Sequence, residues 1–283
     1  VARATSIDRP ARWRWAGAGA RPPTRSGPVA APWGWAAAGG VLGLLLAIVV
    51  FAPATWLASA LESSTNGHLR LDDPRGTVWD GSARLVLTGG IGSQDATALP
   101  GRVQWRLRPR FNGVAAQLRS ECCAPEPIGM RLRVRLGGAH VDIADAASQW
   151  PAALLAGLGT PWNTLQIDGD LRLATQGLSL EWAEGRLAVA GRAELVAQRV
   201  ASRLSTLRPM GSYRITLEGG AAPTLRLETL EGSLRLQGQG QWVGSRLRFA
   251  GEATAEPERE GALSNLLNII GRRNGPRSII TIG

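Results

Sequence analysis

The chain contains no lysine: all 32 of its basic residues are arginine. It has two histidines, two cysteines, two methionines and one tyrosine in 283 residues. Each shortage closes a route to chemistry. Without lysine there is no phosphate-binding loop of the kind whose last positions hold Lys and Ser or Thr. His68 and His140 stand far apart and no Gly-x-Ser-x-Gly elbow occurs, so a Ser–His–Asp arrangement has little to build on. Two cysteines alone cannot form a structural zinc site, and the two histidines are not at ligand spacing. Carboxylates do come in pairs, Asp72 with Asp73 and Asp142 with Asp145, but nothing marks one as acid and the other as base, and they read as solvated turns. The expectation is a protein that is not an enzyme, with no catalytic residue, no bound metal and no cofactor.

Charge is missing too, from one long stretch. Residues 26–61 carry none, while Arg3, Arg9, Arg12, Arg14, Arg21 and Arg25 precede them against a single acid, Asp8. Within that stretch, residues 36–56 read AAAGGVLGLLLAIVVFAPATW. At about 1.5 Å per residue, a helix of that length spans the hydrocarbon core of a bilayer. Trp33 and Trp35 at one edge and Trp56 near the other suit the membrane interface, and the arginines place the N-terminus in the cytoplasm. A cleaved signal peptide is the competing reading. Ala58-Ser59-Ala60 resembles a cleavage site, but the apolar run exceeds the usual length of roughly 7–15 residues. A retained anchor is therefore expected. The domain reading is a disordered, Arg-rich cytoplasmic tail over residues 1–32, a transmembrane helix over 33–61 and an exported β-rich domain over 62–283.

Beyond the span the dominant pattern is period two. Residues 102–108, RVQWRLR, put Val103, Trp105 and Leu107 on one face and Arg and Gln on the other. Met130, Leu132, Val134 and Leu136 alternate with Arg131, Arg133 and Arg135, and the pattern recurs at residues 165–173, 178–182, 213–217, 225–227, 233–237 and 246–249. Such alternation describes strands with one buried and one wet face. Asp168-Gly169, Gly219-Gly220, Glu231-Gly232 and Gly244 punctuate at hairpin spacing. The fold class is thus mainly β: an antiparallel meander, either a sandwich or a curved sheet, with arginines outside and the apolar face inside. Three segments read as short helices: residues 144–158, 200–207 and 261–273. In the last, Leu263, Leu266, Leu267 and Ile270 form an amphipathic stripe expected to pack on the sheet. Because the arginines are dispersed along strands and no DNA- or RNA-binding module is present, nucleic acid is not an expected partner.

Cys122 and Cys123 are adjacent. In an oxidising compartment they have three options: a vicinal disulfide, an intermolecular bridge, or two buried thiols. A vicinal disulfide with a local structural role is the favoured reading.

Four segments carry a family resemblance. They are residues 53–61 (PATWLASAL), residues 74–84 (PRGTVWDGSAR), residues 99–108 (LPGRVQWRLR) and the tail from Leu266 to Gly283. They resemble the type II (general) secretion pathway protein N family, whose Gly-Thr-Val-Trp-x-Gly signature falls on Gly76, Thr77, Val78, Trp79 and Gly81. The resemblance implies a non-catalytic, single-pass protein of the inner membrane of Gram-negative bacteria with a periplasmic β domain. Expected partners are the other inner-membrane platform subunits and the membrane itself. A second implication is kinship with AsmA-like domains, whose curved sheets enclose an apolar trough, and hence periplasmic lipid binding or transfer. No cofactor and no catalytic residue comes with the resemblance. Read residue by residue, the signature is structural, with glycines for turns or close approach, Trp79 as an apolar anchor, and Thr77 and Val78 as β-formers.

Overall fold

The computed structural model describes residues 33–183, 186–244 and 246–283. The tail expected over residues 1–32 lies outside them. The chain divides into two compact units, one ending at Leu46 and one comprising Ala47–Gly283.

The first unit, as described, is most of helix α1 (Trp33–Val50). This is one helix long and apolar enough to cross a membrane, with a mean hydropathy of 2.0 and none of its length buried. At about 1.5 Å per residue its 18 residues extend about 27 Å. Residues 33–61 do not form the single helix the sequence reading assigned. Helix α1 stops at Val50, and a second helix, α2 (Ala54–Ser64), starts after Pro53. The cause is local: Pro53 has no N–H to donate and disfavours helical geometry at Ala52. Helix α2 is amphipathic. Ala54, Leu57, Ala58 and Leu61 recur at i, i+3, i+4 and i+7 and pack on Leu71, Ala83 and Trp105. It belongs to the β domain.

The second unit is built on one antiparallel sheet of 16 strands. In chain order these are β1 (Leu69–Gly76), β2 (Asp80–Thr88), β3 (Ala96–Ala98), β4 (Val103–Arg110), β5 (Gly113–Ser120), β6 (Ala124–Arg135), β7 (Gly138–Ile143), β8 (Ala146–Pro151), β9 (Asp168–Ala183), β10 (Arg186–Ala201), β11 (Gly211–Gly220), β12 (Thr224–Gly232), β13 (Leu234–Val243), β14 (Arg246–Ala255), β15 (Arg272–Asn274) and β16 (Arg277–Ile282). Spatial order follows chain order closely, as in a meander. The exceptions are β3, which pairs with β2, β8, which pairs with β9 beside β7, and β16, which lies between β14 and β15. All pairings are antiparallel, and the 16 strands belong to one hydrogen-bonded sheet rather than to the two separate sheets of a sandwich.

Alternation sets the faces of the strands but leaves open what covers the apolar one. After the short helix α3 (Trp162–Leu165), helix α4 (Glu260–Ile270) buries Leu263, Leu266 and Leu267 against Leu234, Ala253, Met210 and Tyr213, as its stripe implied. Residues 152–158 form a 3-10 helix that brings Leu154 onto Leu99, Val103 and Cys123. The first half of the expected 144–158 helix is strand β8 instead, because Ser148 and Trp150 alternate in register with Leu173 and Leu171 of β9. Residues 202–207 are a loop, with the Ser202 and Ser205 hydroxyls accepting from the Leu204 and Leu207 amides. Those local bonds displace the helical pattern. On β6 the face expected to point inward is not covered throughout: Leu132 and Val134 are exposed, as is Leu136 at the turn that follows.

Candidate functional site

The signature residues form one structure, a hairpin turn that grips the exit of α1. Gly76 pairs with Gly81, and the Thr77 amide donates to the Asp80 carbonyl at 2.9 Å. Gly76 has φ +87°, a conformation side chains resist. Gly81 is required by space rather than by angle. A Cβ there would stand 2.5 Å from the Trp105 ring and 2.7 and 2.8 Å from the Arg75 and Thr77 carbonyl oxygens. The ring occupies that space in order to bond, and its Nε1–H donates to the Val78 carbonyl at 3.0 Å.

Two bonds then run from the turn to the end of α1. The Val78 amide donates to the Ala52 carbonyl at 2.9 Å, and Trp79 Nε1–H donates to the Val49 carbonyl at 2.8 Å. Carbonyls of a helix's last turn have no partner within the helix, so the indole acts as a cap supplied from a distance. An isolated bridge between Pro53 and Thr77 completes the contact. Trp79, read from sequence as an apolar anchor, is thus a half-buried polar clamp, while the buried core tryptophan is Trp105.

The β1 edge is braced beside this turn. Arg102 donates to the Asp73 carboxylate at 2.9 Å and carbonyl at 2.7 Å, and to the Ser82 carbonyl at 3.0 Å. Hydrogen bonds from Arg75 and Arg102 hold the Asp73 carboxyl below the usual carboxylate range. Asp72 and Asp73 are therefore ion-paired strand residues rather than bare turns, whereas Asp145 lies between β7 and β8 and accepts from the Gly177 amide at 2.6 Å.

The same holds at His140. Its Nε2 lies 2.9 Å from Asp142, which also accepts from Arg133 at 2.5 Å, and these bonds, His140 first, lower the Asp142 carboxyl. The sequence hid this cluster because its members come from β6 and β7. Among the described residues no serine hydroxyl bonds to His140, and no group of three metal-ligating side chains occurs.

Cys122 and Cys123 lie at the turn between β5 and β6 with their sulfurs at bonding distance, 2.08 Å. Cys122 is exposed and Cys123 buried against Leu99, Val103 and Leu154. The Cys123 carbonyl accepts from the Gln149 amide at 2.8 Å, tying this turn to β8.

Two grooves open on the sheet. One, of about 870 Å³, is lined by Arg192, Glu218, Arg226, Glu228, Gln239 and Arg248, among others. The other, of about 980 Å³, runs past Cys122 to Arg172, Glu194 and Arg214, with Trp150 and Leu230 on its walls. Ion pairs cross-link their floors, with Arg214 reaching Glu228 at 3.0 Å and Glu194 at 3.4 Å.

A family model for type II secretion system (T2SS), protein N matches residues 67–280, which hold the entire signature and nearly all of the sheet. The chain belongs to that family. It is a type II secretion component, of a family that is generally non-catalytic. No curated protein and no solved structure matches it. The matched T2SS protein N region begins after α2, so the clamp joins family residues to a helix outside the match.

Proposed function

We propose that this member of the T2SS protein N family is a non-catalytic, single-pass component of the inner membrane, with its N-terminus in the cytoplasm and its β domain in the periplasm. There it scaffolds other platform subunits. The observation that carries this reading is the clamp. The family signature is bonded to the end of the span-length helix found among the described residues, through Trp79 to Val49 and Val78 to Ala52. A junction bonded in this way suits a part that holds position. A flexible linker would suit a domain that roams.

The lipid-carrier alternative needs an open groove with apolar walls. Of the two grooves described, the one lined by Arg192, Glu218, Arg226, Glu228 and Arg248 is mainly polar, which favours scaffolding, while the one past Cys122 sets Pro125, Trp150, Leu173, Val196 and Leu230 beside Glu194 and Arg214 and is where the alternative would find apolar walls. Crosslinking in cells from the β domain, with the trapped protein identified, tests both readings. Platform subunits are expected. Intact secretion after deletion, with only lipid-pathway proteins trapped, would sink the scaffold.

Within the same reading, Cys122 and Cys123 are an oxidised vicinal pair that holds the β5–β6 turn against β8. Alkylation of the unreduced, denatured protein should then add no group to either cysteine. Two additions would show free thiols.

A further inference from the structure

Hairpin tips alternate between the two ends of a meander, and here the two ends differ. At one end lie α4, the 3-10 helix of residues 152–158 and the cysteine turn. At the other lie the Thr77–Asp80 turn that grips α1, then the β4–β5 tip and the β6–β7 tip. Register places them together: Asp80 pairs with Arg106, Gly113 with Arg133, and the Val134 amide donates to the Asn112 carbonyl. At about 4.8 Å per strand, both tips fall within about 20 Å of the clamp, measured along the sheet.

These tips are built the wrong way round for solvent. Phe111 and Leu136, at the two turns, are fully exposed. Behind Leu136, Val134 is 61% and Trp182 50% exposed, joined in one cross-strand row through Ala139. Arg108, Arg110 and Arg135 flank them, exposed, and among the described residues no acid pairs with any of the three. Apolar points ringed by unpaired arginines fit an interface of acyl chains beneath anionic headgroups.

We infer that the β4–β5 and β6–β7 tips, with Phe111 and Leu136 inserted and Arg108, Arg110 and Arg135 on phosphates, rest on the surface of the bilayer that α1 crosses. This inference rests on α1 being a membrane span. Continuity supports it: the chain leaves α1 at Val50, and Val49, Ala52 and Pro53 around that point are bonded to the neighbouring turn. The clamp and the tips together would hold the domain at fixed height and tilt.

The test is photo-crosslinking of the full chain in cells. p-Benzoylphenylalanine replaces Phe111, Leu136 or, within α1, Val41, one at a time. Phospholipid adducts at all three positions are expected. In an Arg108→Gln, Arg110→Gln, Arg135→Gln background, the adducts at 111 and 136 should fall by about fivefold or more, one surface arginine being worth roughly that factor, while the adduct at 41 stays. Protein adducts at 111 and 136 would make the tips a subunit interface and overturn the inference. So would no adduct at 111 and 136 alongside a lipid adduct at 41. No lipid adduct at 41 would instead remove the span reading, and this inference with it.

Discussion

Gly81→Ala adds one methyl group and should disable the clamp. The new Cβ would lie 2.5 Å from Trp105 Cζ2, 2.7 Å from the Arg75 oxygen and 2.8 Å from the Thr77 oxygen. Two of these are backbone atoms in a paired hairpin and cannot turn aside. The ring can, but only by leaving a site where it is 6% exposed and by breaking its bond to the Val78 carbonyl. Overpacking of this kind costs about 1–3 kcal/mol, and the lost hydrogen bond about 1 kcal/mol more. A total of roughly 2–4 kcal/mol lowers the melting temperature of a domain this size by about 4–16 °C. Thermal unfolding of the full chain in detergent, followed by tryptophan fluorescence, measures it. Gly261→Ala is the control. That glycine lies in the first turn of α4 and has nothing within 4 Å of the place a Cβ would take, so the same methyl should be neutral or stabilise by up to about 1 kcal/mol. Secretion should fall with Gly81→Ala, because Val78 and Trp79 lose their backing. A Gly81→Ala protein that melts with the wild type would refute the close-approach argument.

Trp79→Phe keeps a ring but removes the bond to Val49, so amide exchange at Val78 should quicken while global stability drops by about 1 kcal/mol or less; unchanged exchange would detach the indole from the clamp. Leu267→Ala empties a fully buried site under the sheet and should cost about 2–5 kcal/mol in denaturant unfolding, and a loss below about 1 kcal/mol would mean that α4 does not pack as described. For Asp142 the folded carboxyl sits below its unfolded value of about 3.9. Its contribution is therefore present above that pH and lost as pH falls through the lower folded value. It should be under about 1 kcal/mol because the pair is a third exposed. Asp142→Asn should flatten the stability profile below about pH 4, and an equal slope in both proteins at acid pH would remove the carboxyl from that account.

Alternation states correctly that β4 hides Val103 and Trp105 and shows Gln104 and Arg106. It cannot state what lies over the hidden face. That is decided by residues without period two, and each is hidden for a different reason. The α2 stripe of Ala54, Leu57, Ala58 and Leu61 is masked by its apolar continuity with the span. The strand β8 is masked by alanines that favour helix in isolation and are overruled by pairing with β9. The clamp cannot be foreseen from the signature, because its partners are backbone carbonyls of Val49 and Ala52, which any residues there would supply. The glycines are the readable part. Only Gly tolerates the angle at Gly76 and the crowding at Gly81, so their presence announces close approach without naming the neighbour.

The two edges of the sheet bear on how such a part holds others. Strand β1 is guarded against pairing: Arg70, Asp72 and Arg75 are charged along it, Pro74 offers no donor, and the register breaks between Asp72 and Arg75. Such features keep an edge from recruiting strands. At the other edge β15 covers only Arg277, Ser278 and Ile279 of β16, so among the described residues Ile280, Thr281 and Ile282 pair on one side alone. These are β-branched residues without charge, and Ile282 is exposed. A strand added to this sheet therefore meets resistance at the edge beside the clamp and none at the far one. The ordered path of the sheet runs through 14 strands from β1 to β15. An element bonded to the span-length helix at one side and open to pairing at the other would suit the proposed scaffold.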